Sequence, residues 1–190
     1  MGSRPIASQR PAALKDAHGE VLEIGFGTGL NLSYYPAGVR ALTVVDPEKL
    51  LPQRVAERIA AAPFPVEQVS LSAERLPLED NTFDCVVSTF TLCTIPDATA
   101  AIREAGRVLK PGGTFLFLEH GLNQDPSVAK WQRRLNPIQR FIGRGCNLDR
   151  QIDALISDAG LAITRLDRFL IPGMPRTHAT MYRGAATAQK

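Results

Sequence analysis

Val21-Leu22-Glu23-Ile24-Gly25-Phe26-Gly27-Thr28-Gly29 decides how this chain is read. An apolar run ends in an acid, and glycine then takes every second position. Glycine lets the backbone leave a strand in a sharp turn and lets a ligand come close to the main chain. The dinucleotide-binding fingerprint needs its third glycine three positions after the second. Here that position is Leu30, and the third glycine stands one residue early, so the spacing excludes that rival. Downstream, Ala41-Leu42-Thr43-Val44-Val45-Asp46 is a second strand-like run ending in an acid. It lies about 20 residues further on, where an open α/β nucleotide site sets a carboxylate against ribose hydroxyls. A carboxylate suits that place because it only accepts hydrogen bonds, and a ribose diol offers two donors.

Outward from these two runs, strands and helices alternate. Strands are expected at 20–25, 41–46, 66–71, 83–88 and 114–120, with helices at 50–62 and 98–109. The unbroken runs Cys85-Val86-Val87 and Phe115-Leu116-Phe117-Leu118 suit a parallel sheet buried on both faces. Lys110-Pro111-Gly112-Gly113 supplies a helix stop and a turn into the fifth strand. The tail reads as two further strands, 162–169 and 179–186. The expectation is one α/β domain spanning 1–190, a doubly wound, mostly parallel seven-stranded sheet with an antiparallel edge strand. A lid-like insertion is expected at about 123–150.

Length and composition agree with one globular domain: 190 residues, 44% of them hydrophobic. A net charge of +3 is too small to argue for nucleic acid. No apolar run approaches the roughly 18 residues of a membrane span, and the N-terminus lacks a charged-then-apolar signal pattern. Met1-Gly2-Ser3 is compatible with a cloning remnant. Three cysteines with no CxxC pair point to a reducing, cytoplasmic setting and to no structural metal.

The acidic-x-Gly-x-Gly-x-Gly stretch resembles motif I of the class I S-adenosylmethionine-dependent methyltransferases. Phe83-Asp84, opening the fourth strand, resembles their motif II, and Ser72-Ala73-Glu74 resembles the segment flanking the adenine ring. The resemblance covers about 21–118 and implies S-adenosylmethionine as cosubstrate and S-adenosylhomocysteine as product. It implies that the cosubstrate is held by Glu23, Gly25, Phe26, Gly27, Thr28, Gly29, Asp46, Pro47, Ala73, Glu74, Thr89 and Phe90. Thr89-Phe90-Thr91-Leu92-Cys93-Thr94-Ile95, Phe117-Leu118-Glu119-His120 and Gly145-Cys146-Asn147-Leu148-Asp149-Arg150 narrow it to the methyltransferase-like 7 group, thiol S-methyltransferases. Animal members of that group carry an N-terminal hydrophobic anchor, whereas about twenty polar or mixed residues precede motif I here.

The expected activity is methyl transfer to a small-molecule acceptor, a thiol first. A phospholipid or quinone acceptor at a membrane surface is the alternative, and a non-catalytic S-adenosylmethionine-binding regulatory module is the reading from another class. Sulfonium methyl transfer is an in-line displacement, so orientation and water exclusion carry most of the catalysis. A thiol, with a reference pKa near 8.5, needs little help to ionise. An alcohol or phenol needs a clearer base. His120 is the only histidine at a strand's carboxyl end and is the candidate base or substrate contact; a turn histidine bonded to backbone is the competing reading. Cys93 and Trp131 are the other candidate acceptor contacts. Strand alternation sets Glu119 and His120 on opposite faces.

Between 130 and 150, Lys130, Arg133, Arg134, Arg140, Arg144 and Arg150 face one acid, Asp149. Trp131, Leu135, Ile138 and Ile142 recur at helical spacing, interrupted by Pro137. Such a segment either docks its apolar stripe on the core, closes over the acceptor, or makes peripheral contact with an anionic membrane. Cys85 reads as core. Cys93 at the rim and Cys146 in the lid raise a minor arsenite-methylating reading without the full cysteine set. The residues leave acceptor and oligomeric state open.

Overall fold

A computed structural model describes residues 4–48 and 51–188. The cloning-remnant reading of 1–3 and the first residue of the expected helix at 50–62 lie outside them. Two short helices, α1 (Arg4–Ala7) and α2 (Arg10–Leu14), precede β1 (Gly19–Ile24). There follow β2 (Val39–Val45), α3 (Pro52–Ala60), β3 (Val66–Val69), β4 (Phe83–Thr89), α4 (Ala98–Val108) and β5 (Leu109–His120). The chain then runs through α5 (Pro126–Ile142), α6 (Ile152–Asp158), β6 (Leu161–Leu170), α7 (Arg176–Ala179) and β7 (Thr180–Ala188).

The strands form one seven-stranded sheet in the order β3-β2-β1-β4-β5-β7-β6. The first five are parallel, and β7 runs antiparallel between β5 and β6. Alternation along each strand builds a core on both faces. Leu22, Val86, Phe115 and Phe117 pack against Ala101, Ile102 and Ala105 of α4 and Ile152 and Ile156 of α6. Val21, Cys85, Val87 and Leu116 point the other way, toward Leu14, Tyr35, Val55 and Phe64. Cys85 is fully buried, as read from its place in the run.

One boundary moved. Pairing of β5 begins at Leu109, opposite Phe83, and resumes with Thr114 opposite Cys85. The stretch 110–113 is therefore an excursion within a strand pair, with Gly112 at φ +76°, and not a turn that precedes the strand. Motif II residue Asp84 stabilises this opposite end of the sheet. Its carboxylate accepts from Lys110 Nζ at 2.7 Å, the Glu20 amide at 2.8 Å and Arg40 at 3.1 Å. The Lys110 bond is the chief cause holding its carboxyl below the usual range.

α5 also departs from expectation. Asp125 caps it through the Ser127 amide and Pro126 opens it, both ordinary helix starts. The face it docks is Val128, Ala129 and Gln132, with the Gln132 amide donating to the Gly121 and Thr177 carbonyls. Of the three readings of its apolar stripe, docking on the core is excluded, because the stripe faces solvent: Trp131 is 55% exposed, Ile138 62% and Ile142 69%, while Leu135 is half-buried. Among the described residues no helix is long and apolar enough to cross a membrane.

Candidate active site

The carboxyl ends of the parallel strands meet on one rim. The Gly25 amide bonds the Val45 carbonyl at 2.8 Å, and the Phe90 amide bonds Leu118 at 2.9 Å. The three glycines leave β1 in left-handed backbone, at φ +75°, +57° and +72°, a region that costs other residues about 1–2 kcal/mol each. Their reasons differ. A Cβ on Gly25 would lie 2.1 Å from Thr91 Oγ1, so close packing against the β4 loop requires glycine there. Among the described residues, a Cβ on Gly27 would meet nothing within 4 Å. Gly27 instead faces a cavity of about 530 Å³ and a second of about 330 Å³, both of which it lines with Phe26, Asp46 and Glu48.

Asp46 pins this turn. Its Oδ2 accepts from the Gly27 amide at 2.7 Å and its Oδ1 from the Glu48 amide at 2.8 Å. Each oxygen keeps acceptor capacity for a further donor. Glu23 is buried beneath, accepting from Asn31 Nδ2 and from the Tyr35 hydroxyl, each at 2.8 Å. Burial raises its pKa to about 7 despite those bonds and the nearby Arg10. Arg10 reaches up from α2, donates to Asn31 and to Thr89 Oγ1, and lies 5.2 Å over the Phe90 ring.

Of the expected cofactor contacts, Glu23, Gly25, Phe26, Gly27, Thr28, Asp46, Pro47, Thr89 and Phe90 line the larger cavity. Gly29 packs behind the turn, where a Cβ would lie 3.0 Å from the Phe26 ring. Ala73 is buried in the core, and Glu74 is turned to α4, accepting from the Asp97 amide at 2.7 Å. Neither lines a cavity. Residues outside the expected contact set also line the larger one: Arg10, Thr91, Thr94, Ile95, Gly143 and Arg144. The arginines carry no local signal, since only folding brings 10 and 144 beside the strand tips.

The acceptor candidates are placed elsewhere. His120 is 6% exposed and stands 6.4 Å, ring to ring, from His178, away from the lining of either cavity. Neither ring nitrogen makes a hydrogen bond of normal geometry, although backbone of Thr177 and Asn147 lies close enough to favour the charged form slightly. Burial outweighs this and lowers its pKa to about 4, so the ring is neutral at pH 7. Cys93 is fully buried beneath Thr94, and Trp131 stands outside on α5, 5.5 Å from the Arg134 guanidinium. From the expected lid, Gly143 and Arg144 reach the cavity. Glu119, opposite in strand phase to His120, supports the site from below. It accepts from Ser88 Oγ at 2.7 Å and from the Thr91 amide at 3.0 Å, and burial raises it to about 7.

These values predict a pH dependence. In the unfolded chain a glutamate titrates near 4.5. Between there and about 7 folded Glu23 and Glu119 retain protons that the unfolded chain has lost. The stability they contribute is full below 4.5 and lost as pH rises through 7. His120 acts oppositely, adding stability as pH rises from about 4 to 6.5. Above 6.5 the carboxylates are opposed by Cys146, which is lowered to about 7 and adds stability as pH rises toward 9, so the comparison is made in a Cys146→Ser background. The urea midpoint is expected to fall from pH 6.5 to 8, and to fall less in Glu119→Gln; an equal fall in that variant contradicts the assignment.

The methyltransferase domain family matches residues 22–117. The chain belongs to the class I S-adenosylmethionine-dependent methyltransferases. Thiol S-methyltransferase TMT1B of Rattus norvegicus is 39% identical over 145 residues, 73% of this chain and 59% of that protein. Thiol S-methyltransferase TMT1A of Homo sapiens is 33% identical over 157 residues, 80% of this chain and 64% of that protein. The chain thus spans 59–64% of the length of these two curated relatives. The crystal structure of N-methyltransferase NodS from Bradyrhizobium japonicum matches the fold with a TM-score of 0.69 over 100% of both chains at 16% identity.

Proposed function

We propose that this methyltransferase transfers the methyl group of S-adenosylmethionine to a small thiol. The residues fit the cosubstrate: Gly27 leaves open space beside the Asp46 carboxylate, and the buried Arg10 Nε, beside the same cavity, has no hydrogen-bond partner among the described residues. Asp46 would hold the ribose, the glycine turn would pass close under it, and Arg10 would meet its carboxylate end. The bound cosubstrate supplies an already activated methyl group. What this chain adds is orientation and exclusion of water.

The observation that carries the thiol is the charge at the larger cavity. Arg144 lines it beside Arg10, whose charge the cosubstrate's carboxylate would take, and no histidine lines it. Of its three carboxylates, Glu23 and Asp46 are engaged in hydrogen bonds from the protein, and Glu48 lies on the side shared with the smaller cavity. Positive charge without a free base suits an acceptor that ionises by itself, such as a thiol, and serves an alcohol or phenol poorly. The activity carried in the names of the two curated relatives supports the same acceptor.

The test is a panel of alkyl and aryl thiols assayed across pH. Methylation is expected, with a rate that rises as the thiolate fraction grows, and His120→Ala is expected to change it little. Thiols left unmodified while a quinol or phospholipid is turned over would replace this reading. Cosubstrate binding without turnover of any acceptor would make the chain a regulatory module.

A second reading, acting at a membrane surface, is favoured by the outer face of α5. Trp131, Ile138, Phe141 and Ile142 are all exposed there, Phe141 at 87%, among exposed Lys130, Arg133, Arg134 and Arg140. Exposed aromatic and aliphatic side chains beside cations fit an anionic interface. Charge reversal at Arg133, Arg134 and Arg140 should then reduce sedimentation with phosphatidylserine vesicles and spare turnover of soluble thiols. Wild-type protein that ignores such vesicles would remove this reading.

A further inference from the structure

Two cysteines left aside by the methyl-transfer chemistry lie together at the edge of the cavity. Cys93 follows β4 and is fully buried; Cys146 lies in the loop after α5 and is half-buried. The loop that carries Cys146 is fastened to the segment that carries Cys93. The Asn147 amide donates to the Cys93 carbonyl at 2.8 Å and Asn147 Nδ2 to the same oxygen at 2.9 Å, while Arg150 donates to the Leu92 carbonyl. A carbonyl of one cysteine bonded to the amide just after the other brings their Cα atoms toward the roughly 4.4–6.8 Å that a disulfide spans. The two thiols lie near enough to shift each other's ionisation in opposite directions. Their neighbours Thr94, Ile95, Gly143 and Arg144 line the larger cavity.

We propose that Cys146 and Cys93 form a thiol–disulfide exchange pair, Cys146 attacking a small disulfide and Cys93 resolving the mixed disulfide. The asymmetry of the pair sets the roles. Cys146 is the accessible thiol; the neighbouring Cys93 thiol, with Gln139 and the Arg150 charge, favours its thiolate and lowers it to about 7. Cys93, beside that sulfur and buried, is held well above the ordinary thiol value. A thiolate near ambient pH with a buried thiol behind it is the arrangement that exchange chemistry uses.

The steps balance. The Cys146 thiolate attacks one sulfur of RS–SR, a Cys146–SR bond forms, and RS⁻ leaves to take a proton from water. Cys93 then attacks Cys146 Sγ, the bond to SR breaks, and the second RS⁻ leaves with the Cys93 proton. The two protein thiols lose two electrons, and the disulfide becomes two thiols. The inference rests on the thiol reading only for the identity of R, because a protein that methylates RSH meets RSSR as its oxidised form. The oxidised pair ties two segments of the cavity mouth covalently, and excess thiol reverses the steps.

The experiment uses the full chain without cosubstrate, so its outcome is independent of any methyl acceptor. The probe is 5,5′-dithiobis(2-nitrobenzoate), read by released thiolate and by intact and peptide mass. Wild type is expected to release two aryl thiolates and end with no adduct and a Cys93–Cys146 disulfide. Cys93→Ser should release one and keep the adduct on Cys146. Cys146→Ser should lose rapid native reactivity, with Cys85 and Cys93 buried. A stable adduct on Cys146 in wild type, or separate adducts on both cysteines, overturns the proposal.

Discussion

Gly27→Val is expected to abolish binding of S-adenosylmethionine and S-adenosylhomocysteine while leaving far-ultraviolet dichroism near wild type. Two effects act together. Gly27 holds φ +57°, where a β-branched residue is strained. Its Cβ would project into the open space that both cavities share, filling the place where a ligand must pass. No core atom lies within 4 Å of that Cβ, so the damage stays at the site. Calorimetry should show affinity lost by at least about a hundredfold, or about 3 kcal/mol. Turnover retained in this variant would contradict the placement of the cosubstrate against the turn.

Asp46→Ala should weaken cosubstrate binding by about 2–4 kcal/mol, roughly thirty- to a thousandfold, through loss of charge-assisted bonds. The structure adds a cause beyond the ribose. The same carboxylate accepts the Gly27 and Glu48 amides, so its removal also loosens the turn that shapes the pocket. Asp46→Asn keeps one acceptor oxygen and should fall between wild type and alanine. Unchanged affinity in Asp46→Ala would place the ribose elsewhere.

The sheet was readable because its signals are local. Val21–Gly29 and Ala41–Asp46 announce two strands and their ends by composition alone, and Cys85-Val86-Val87 reads as a strand buried on both sides. The turn glycines were legible for the same reason, since backbone conformation limits residue type position by position. The start of β5 was misread because Pro111 and the two glycines resemble a terminator, and only pairing with β4 shows the excursion to be inside the ladder. Helix α5 was legible as a helix, but its orientation was left open. Its spacing marks an apolar stripe but cannot say which face finds the core. Gln132, polar by type, is the buried one because the Gly121 and Thr177 carbonyls take its amide protons.

By itself the sequence determined the α/β order and the methyltransferase family, and it placed the rim proposed to hold the cosubstrate, since strand ends and glycine turns are written in short stretches. Only the tertiary structure decided which titratable groups face the cavity. Arg10 and Arg144 enter it from opposite parts of the chain, His120 is turned away and neutralised by burial, and Glu74 is taken by the Asp97 amide. Cys93 and Cys146 meet for the same reason, because Asn147 and Arg150 fasten their loop to the end of β4. Such neighbours are set by packing between distant segments, and a side chain's charge follows from burial and partners that its own sequence neighbours do not supply.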